Sequence, residues 1–136
     1  MDIDLSTDAP PSPERTLQLA ETLAGIVRVL NHQTRHPEAL EYPSEADRLV
    51  REIASAAARL PQLLSQAGAW LERERVAGGI RVAGGVFAGN PDLAVVTARL
   101  RLDEARAHLA EAERSLSAAA QVTSALAAAQ AGDGDD

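Results

Sequence analysis

Residues 91–126 read PDLAVVTARLRLDEARAHLAEAERSLSAAAQVTSAL, and within them Val95, Ala98, Leu102, Ala105, Leu109, Ala112, Leu116, Ala119, Thr123 and Leu126 recur at alternating spacings of three and four. That repeat draws one apolar seam along a helix, with larger residues at one core position and mainly alanine at the other. Alanine on a seam lets a neighbouring helix come close, so the stretch predicts tight helix-on-helix packing. It fixes architecture rather than chemistry. Asn90 and Pro91 supply a cap and a first-turn residue, and this third helix is expected to run to about Gln130, before a Gly/Asp-rich end.

Immediately upstream, Arg75-Val76-Ala77-Gly78-Gly79 is repeated as Arg81-Val82-Ala83-Gly84-Gly85. Two glycine pairs make a continuous helix costly, at about 1 kcal/mol per glycine relative to alanine. The segment is therefore expected to be a long loop or a small β-hairpin, with residues 80–82 and 86–88 as its arms. Before it, Ala46, Leu49, Ile53, Ala56, Leu60, Leu63, Ala67 and Trp70 form a second heptad-like seam, flanked by a column of Val50, Ala57, Leu64 and Leu71. Two adjacent apolar columns make a wide face and predict a central helix with two neighbours. Ser44, with Asp47 three residues on, is expected to open this second helix in a variant of the capping box. Pro61 removes a backbone hydrogen bond within it and should bend or split the helix near Ala58.

A first helix starts at Ser12-Pro13-Glu14, where a hydroxyl can cap, proline suits the first turn and glutamate favours the positive end of the helix dipole. It should extend to about Thr34, with Leu19, Leu23, Ile26 and Leu30 on one face and Ala20 and Val27 beside them. Residues 36–43 form a connection, because Pro37 and Pro43 each disfavour helix in the residue before them. The expected fold class is all-α: an antiparallel three-helix bundle with a long helical hairpin and a Gly-rich loop or small β-hairpin at its tip. Residues 1–11 are expected to be a disordered acidic tail, 12–131 a single helical-bundle domain and 132–136 a second disordered acidic tail.

Composition excludes several functions. All 13 basic residues are arginine, there is no lysine and no cysteine, and the net charge is −7. Without cysteine there is no disulfide, thiolate nucleophile or Cys-based metal site, and without lysine no Schiff base or Walker-type phosphate loop. The acidic balance opposes general nucleic-acid binding, and one Trp, one Tyr and one Phe leave no stacking platform for bases. No apolar run approaches the length of a membrane span, and the acidic Met1-Asp2-Ile3-Asp4 start is unlike a signal peptide, so a cytoplasmic location is expected.

Four groups of residues bear on function. At ~1.5 Å per residue the three helices are expected to be about 33, 46 and 60 Å long. The short first helix would leave Ala67, Trp70, Leu71, Val95 and Val96 partly uncovered; such an apolar patch marks an oligomer or partner interface, unless the loop folds back as a lid with Ile80, Val86 and Phe87. Arg75, Arg81, Arg99 and Arg101 gather near the glycine loop and the start of the third helix, where guanidinium groups and free amides could hold an anion or nucleic acid. His32 and His36, with Glu38 and Glu41 nearby, could share a metal as in a metal-dependent hydrolase, but two histidines at a helix end read first as solvated dipole partners. His108 between Glu104 and Glu111 reads as part of a charged, solvated helix face.

Tyr42-Pro43, with Arg59-Leu60-Pro61-Gln62-Leu63-Leu64, Gln66 and Trp70-Leu71, resembles a pattern in a group of small actinobacterial helical proteins of unknown function. The resemblance covers a short part of the chain and implies an actinobacterial origin, in keeping with the arginine and alanine bias. It carries over no functional residue. The leading reading is a non-enzymatic helical interaction or oligomerisation module, regulatory or accessory in role, with no catalytic residue, cofactor or metal and no membrane partner. The expected partner is a second copy or another helical protein. Anion or nucleic-acid binding at the arginine and glycine tip is the alternative.

Overall fold

The computed structural model describes residues 3–129, and the regular structure among them is wholly helical. Helix α1 spans Pro13–Gln33, a short 3-10 turn Pro37–Ala39, helix α2 Pro43–Val76 and helix α3 Pro91–Thr123, with no strand among the described residues. None of these helices is long and apolar enough to cross a membrane. The chain divides into two compact units between Glu41 and Tyr42. The expected 132–136 tail lies outside the described residues.

In the first unit, Ser12 caps α1 as its sequence suggests: the hydroxyl oxygen accepts from the Arg15 amide at 3.1 Å, and Pro13 takes the first helical position. Arg15 also reaches back, its Nη2 donating to the carbonyls of Asp4 and Ser6 at 2.9 Å each. The segment before the helix is thereby held along it, and Ile3 and Leu5 border a shallow groove with Thr22, Gly25, Ile26 and Val29. α1 ends with Thr34 as its cap, one residue from the expected limit.

The second unit is a pair of helices running in opposite directions. Asp47, near the start of α2, accepts a hydrogen bond from Thr123 Oγ1 at the end of α3 (2.6 Å), while Arg75 near the end of α2 meets Asp92 at the start of α3 (3.1 Å). Helix α2 starts one residue before Ser44, because Pro43 with its fixed φ suits the first helical position and Glu45 accepts from the Tyr42 amide at 3.2 Å. Asp47 is thus released from the capping role expected of it and ties the two helices together instead. Helix α2 continues through Pro61 as one element rather than splitting near Ala58. Pro61 is half-buried on the line that faces α3, where packing offsets the missing hydrogen bond.

The loop after α2 begins with a glycine-dependent stop. Gly78, at φ +75°, turns the chain so that its amide donates to the Arg75 carbonyl and the Gly79 amide to the Glu74 carbonyl. Residues 77–90 then form a loop in which a single cross-loop bond, from the Gly89 amide to the Val82 carbonyl, links the two arms. One such bond does not make a ladder, and the hairpin alternative is not adopted. Asn90 caps α3 by accepting from the Leu93 amide at 3.1 Å.

α3 ends at Thr123 rather than near Gln130, which itself lies outside the described residues. Beyond Thr123 the chain has passed Asp47 and runs out of α2 to pack on. The two helices consequently match in length, 34 and 33 residues. The expected ladder of α3 holds over its first half, with Val95 only 4% exposed and Ala98, Leu102, Ala105 and Leu109 half-buried. Past Leu109 the expected Leu116 and Thr123 stay half-buried, but Glu113 and Ala120 take the places expected of Ala112 and Ala119, which are exposed, and Leu126 lies beyond the helix and is exposed too. A straight helix of 3.6 residues per turn drifts ~20° per heptad, and one four-residue step restores its contact with α2.

Gly68 is buried on the line of α2 that faces Arg99 and Leu102 of α3. A methyl group built on it would lie 3.7 Å from Leu102 Cδ1 and 3.7 Å from Arg99 Cγ, ordinary contact distances. Gly68→Ala is therefore expected to raise the stability of the pair by up to about 1 kcal/mol, the helix-interior cost of glycine. Gly68→Leu should lower it by roughly 1–3 kcal/mol through overpacking. Denaturant unfolding followed by circular dichroism checks both signs.

Candidate interaction surface

Helix α2 carries two apolar lines side by side, and only one of them is used within the pair. Val50, Ala57, Leu64 and Leu71, interleaved with Ala54, Pro61 and Gly68, face α3, with Ala57 and Gly68 buried. The neighbouring line of Ala46, Leu49, Ile53, Ala56, Leu60, Leu63, Ala67 and Trp70, expected from its periodicity to be the main seam, is the more exposed one: Ala46, Leu49 and Leu60 are half-buried and the other five are exposed. Ile53 is 45% exposed, Leu63 52% and Trp70 54%. The choice follows from size: Ala54, Ala57 and Gly68 let the alanine-rich face of α3 come close, which Ile53, Leu60 and Leu63 would prevent.

This arrangement separates the five residues expected to form an interface. Ala67 and Trp70 are exposed on the outer line of α2, whereas Leu71 is half-buried toward α3 and Val95 is buried inside the pair. Val96 is 50% exposed but stands one turn before Arg99, whose guanidinium approaches Glu72 at 3.6 Å. Trp70 and Glu72 are two residues apart, about 200° round the helix, so Val96 and Trp70 flank opposite sides of the pair. The outer surface therefore comprises Ala67 and Trp70 with Ile53, Ala56, Leu60 and Leu63.

The arginines near the loop are largely engaged. Arg75 donates to both oxygens of Glu72 (2.6 and 3.0 Å) and to Asp92, while Arg101 is bonded to both oxygens of Glu104 at 2.9 and 3.0 Å. Arg99 and Arg101, two residues apart on α3, project to opposite sides of it. Of the four, Arg81 in the loop is the one whose guanidinium has no partner among the described residues. The hydrogen bonds from Arg75 hold the Glu72 carboxyl below its ordinary range, and those same contacts raise Arg75. At the other end, the Thr123 hydroxyl and then Arg51 lower the Asp47 carboxyl.

His32 and His36 stack edge to face with ring centroids 5.3 Å apart, and no group of three metal-binding side chains occurs among the described residues. On the flank of the pair away from Trp70, a cleft of about 420 Å³ is lined by Arg51, Ala58, Arg59, Glu113 and Ser117, but Arg51 is paired with Asp47 and Arg59 with Ser55. Sequence reasoning missed the Asp47–Thr123 tie, whereas Glu72 and Asp92 were legible as acidic neighbours of the tip arginines. Thr123 was legible as a polar residue on an apolar ladder, a position that calls for a partner across the seam. No protein-family model, curated protein or solved structure matches the chain.

The carboxylates of Asp47 and Glu72, both lowered by their partners, imply a dependence of stability on acid. A carboxyl group whose pKa is lower in the folded than in the unfolded state contributes stability that is present above the unfolded value and is lost as pH falls through the folded one. The melting temperature should thus fall as pH drops below the ordinary carboxylate range, near pH 4. Glu72→Gln should lower it at neutral pH and flatten this acid dependence, as measured by thermal melts across a pH series.

Proposed function

We propose that the chain is a non-enzymatic helical interaction module whose outer α2 surface receives a helix of a protein partner. The observation that supports this is the second heptad line of α2, apolar from Ala46 to Trp70, with its largest side chains half-exposed while the adjacent line is already occupied by α3. A seam with that periodicity is complementary to another helix rather than to a small polar ligand. The competing arrangement is the antiparallel three-helix bundle expected from the sequence, in which the chain's own first helix takes the seam. Anion binding at the tip is the lesser reading, because Arg75, Arg99 and Arg101 are each neutralised by a neighbouring carboxylate.

Charging the outer line should abolish association while sparing the fold. Ile53→Glu with Leu63→Glu is expected to leave helix content unchanged, since both side chains are about half exposed to water. Val95→Glu, which buries a charge within it, should unfold the pair. Sedimentation of the purified protein, with capture from the source cells, measures the effect: wild type in a complex and the Ile53/Leu63 variant alone is the expected result. Identical association by both proteins would refute the assignment of this surface.

A further inference from the structure

Resting on that reading, we propose that the occupant of the outer seam is α2 of a second copy of this chain, crossing antiparallel about a two-fold axis beside Ala58. The seam is complementary to itself in one register. When two copies of α2 are laid head to tail about that axis, Ala46 faces the second copy's Trp70, Leu49 faces Ala67, Ile53 faces Leu63, and Ala56 faces Leu60. All eight residues are used, and each alanine meets a large side chain, the alternation that lets facing layers interdigitate. A shift by one heptad sets Ile53 against Trp70 and Ala56 against Ala67, crowding one layer and emptying the next. A parallel, in-register pair stacks Ala46, Ala56 and Ala67 on themselves and brings two Trp70 rings together.

Charge follows the same register. The positions bordering the seam on the side away from α3 are Glu45, Glu52, Arg59, Gln66 and Arg73, acidic toward the start of the helix and basic toward its end. Reversal of the second copy puts Arg73 opposite Glu45 at both ends and Glu52 opposite Gln66. The Arg73 guanidinium and the Glu52 carboxylate have no side-chain partner among the described residues of their own chain. The like-charged pair is Arg59 with its symmetry mate near the axis, and there the guanidinium is turned back onto the carbonyl and hydroxyl oxygens of Ser55. An interface that uses one surface patch twice closes as a dimer and leaves no edge for further growth.

The absence of cysteine makes the register directly measurable, because an introduced thiol is the chain's sole one. With a short bis-maleimide reagent, Arg59→Cys should cross-link to itself. Glu52→Cys and Gln66→Cys should each stay single when alone, since the two Glu52 positions lie roughly 20 Å apart along the axis at ~1.5 Å per residue. Mixed, those two variants should give a covalent heterodimer. Self-linking of Glu52→Cys would overturn the antiparallel register, and a dimeric mass without the Arg59→Cys product would do the same. A wild type that stays monomeric at all concentrations, yet binds a different helical protein in a way lost with Ile53→Glu and Leu63→Glu, would overturn the second copy as occupant and leave the interaction reading standing. Association insensitive to those substitutions removes the interaction reading itself.

Discussion

Close approach of α2 and α3 is the constraint on which the rest of the structure depends. Ala57 and Gly68 on one helix, with Val95 and Ala120 on the other, are the buried residues of the two helices, and three of the four are glycine or alanine. Small residues there bring many dispersion contacts into range along most of the length of the two helices. The same smallness limits how much apolar area the pair can remove from water, and no large side chain among the described residues is fully buried. Polar ties finish what packing begins: Asp47 with Thr123 at one end, and Glu72, Arg75 and Asp92 at the other, fix the register against sliding.

From that constraint follows the division of α2 into a used and an unused line. A helix whose apolar residues spread over more than one face needs more than one neighbour. Here α3 takes the line with the smaller residues, and Ile53, Leu63 and Trp70 are left on the other. A thin two-helix layer with an open heptad seam has much to gain from a further helix, which is the physical basis for assigning function to this surface rather than to the loop or the histidines. At the loop, Gly78 ends α2, and the guanidinium groups of Arg75, Arg99 and Arg101 on the adjoining helices are paired with carboxylates of α2 and α3.

Much of the architecture was legible in the residues because the signals were local. Ser12-Pro13, Asn90-Pro91 and the paired glycines each act within a turn of their own position, and each marks a boundary where the structure has one. The seam of α3 was legible to Leu109 and again at Leu116 and Thr123, but was misplaced at Ala112 and Ala119, since a heptad count does not track the drift of a straight helix and alanine at 112, 119 and 120 offers nothing to choose between them. On α2 the stronger periodicity belonged to the line that α3 does not use. Periodicity reports that a surface is apolar, whereas the identity of its neighbour depends on how near two backbones can come, and Gly68 and Ala57 carry that information with almost no hydrophobic signal. The candidate surface was read only at Ala67 and Trp70, because length mismatch located an end of the molecule and not a side of a helix.

Trp70 is the sole indole in the chain and lies on the outer line, so its fluorescence reports directly whether that line is open or covered. Emission followed as the purified protein is diluted from micromolar to nanomolar concentration tests the central claim. The expected result is a blue-shifted maximum, characteristic of a covered indole, that moves to the red as the complex dissociates, with helix content retained. A maximum that stays at one wavelength over the whole range, whether that of an exposed or of a buried ring, would contradict it.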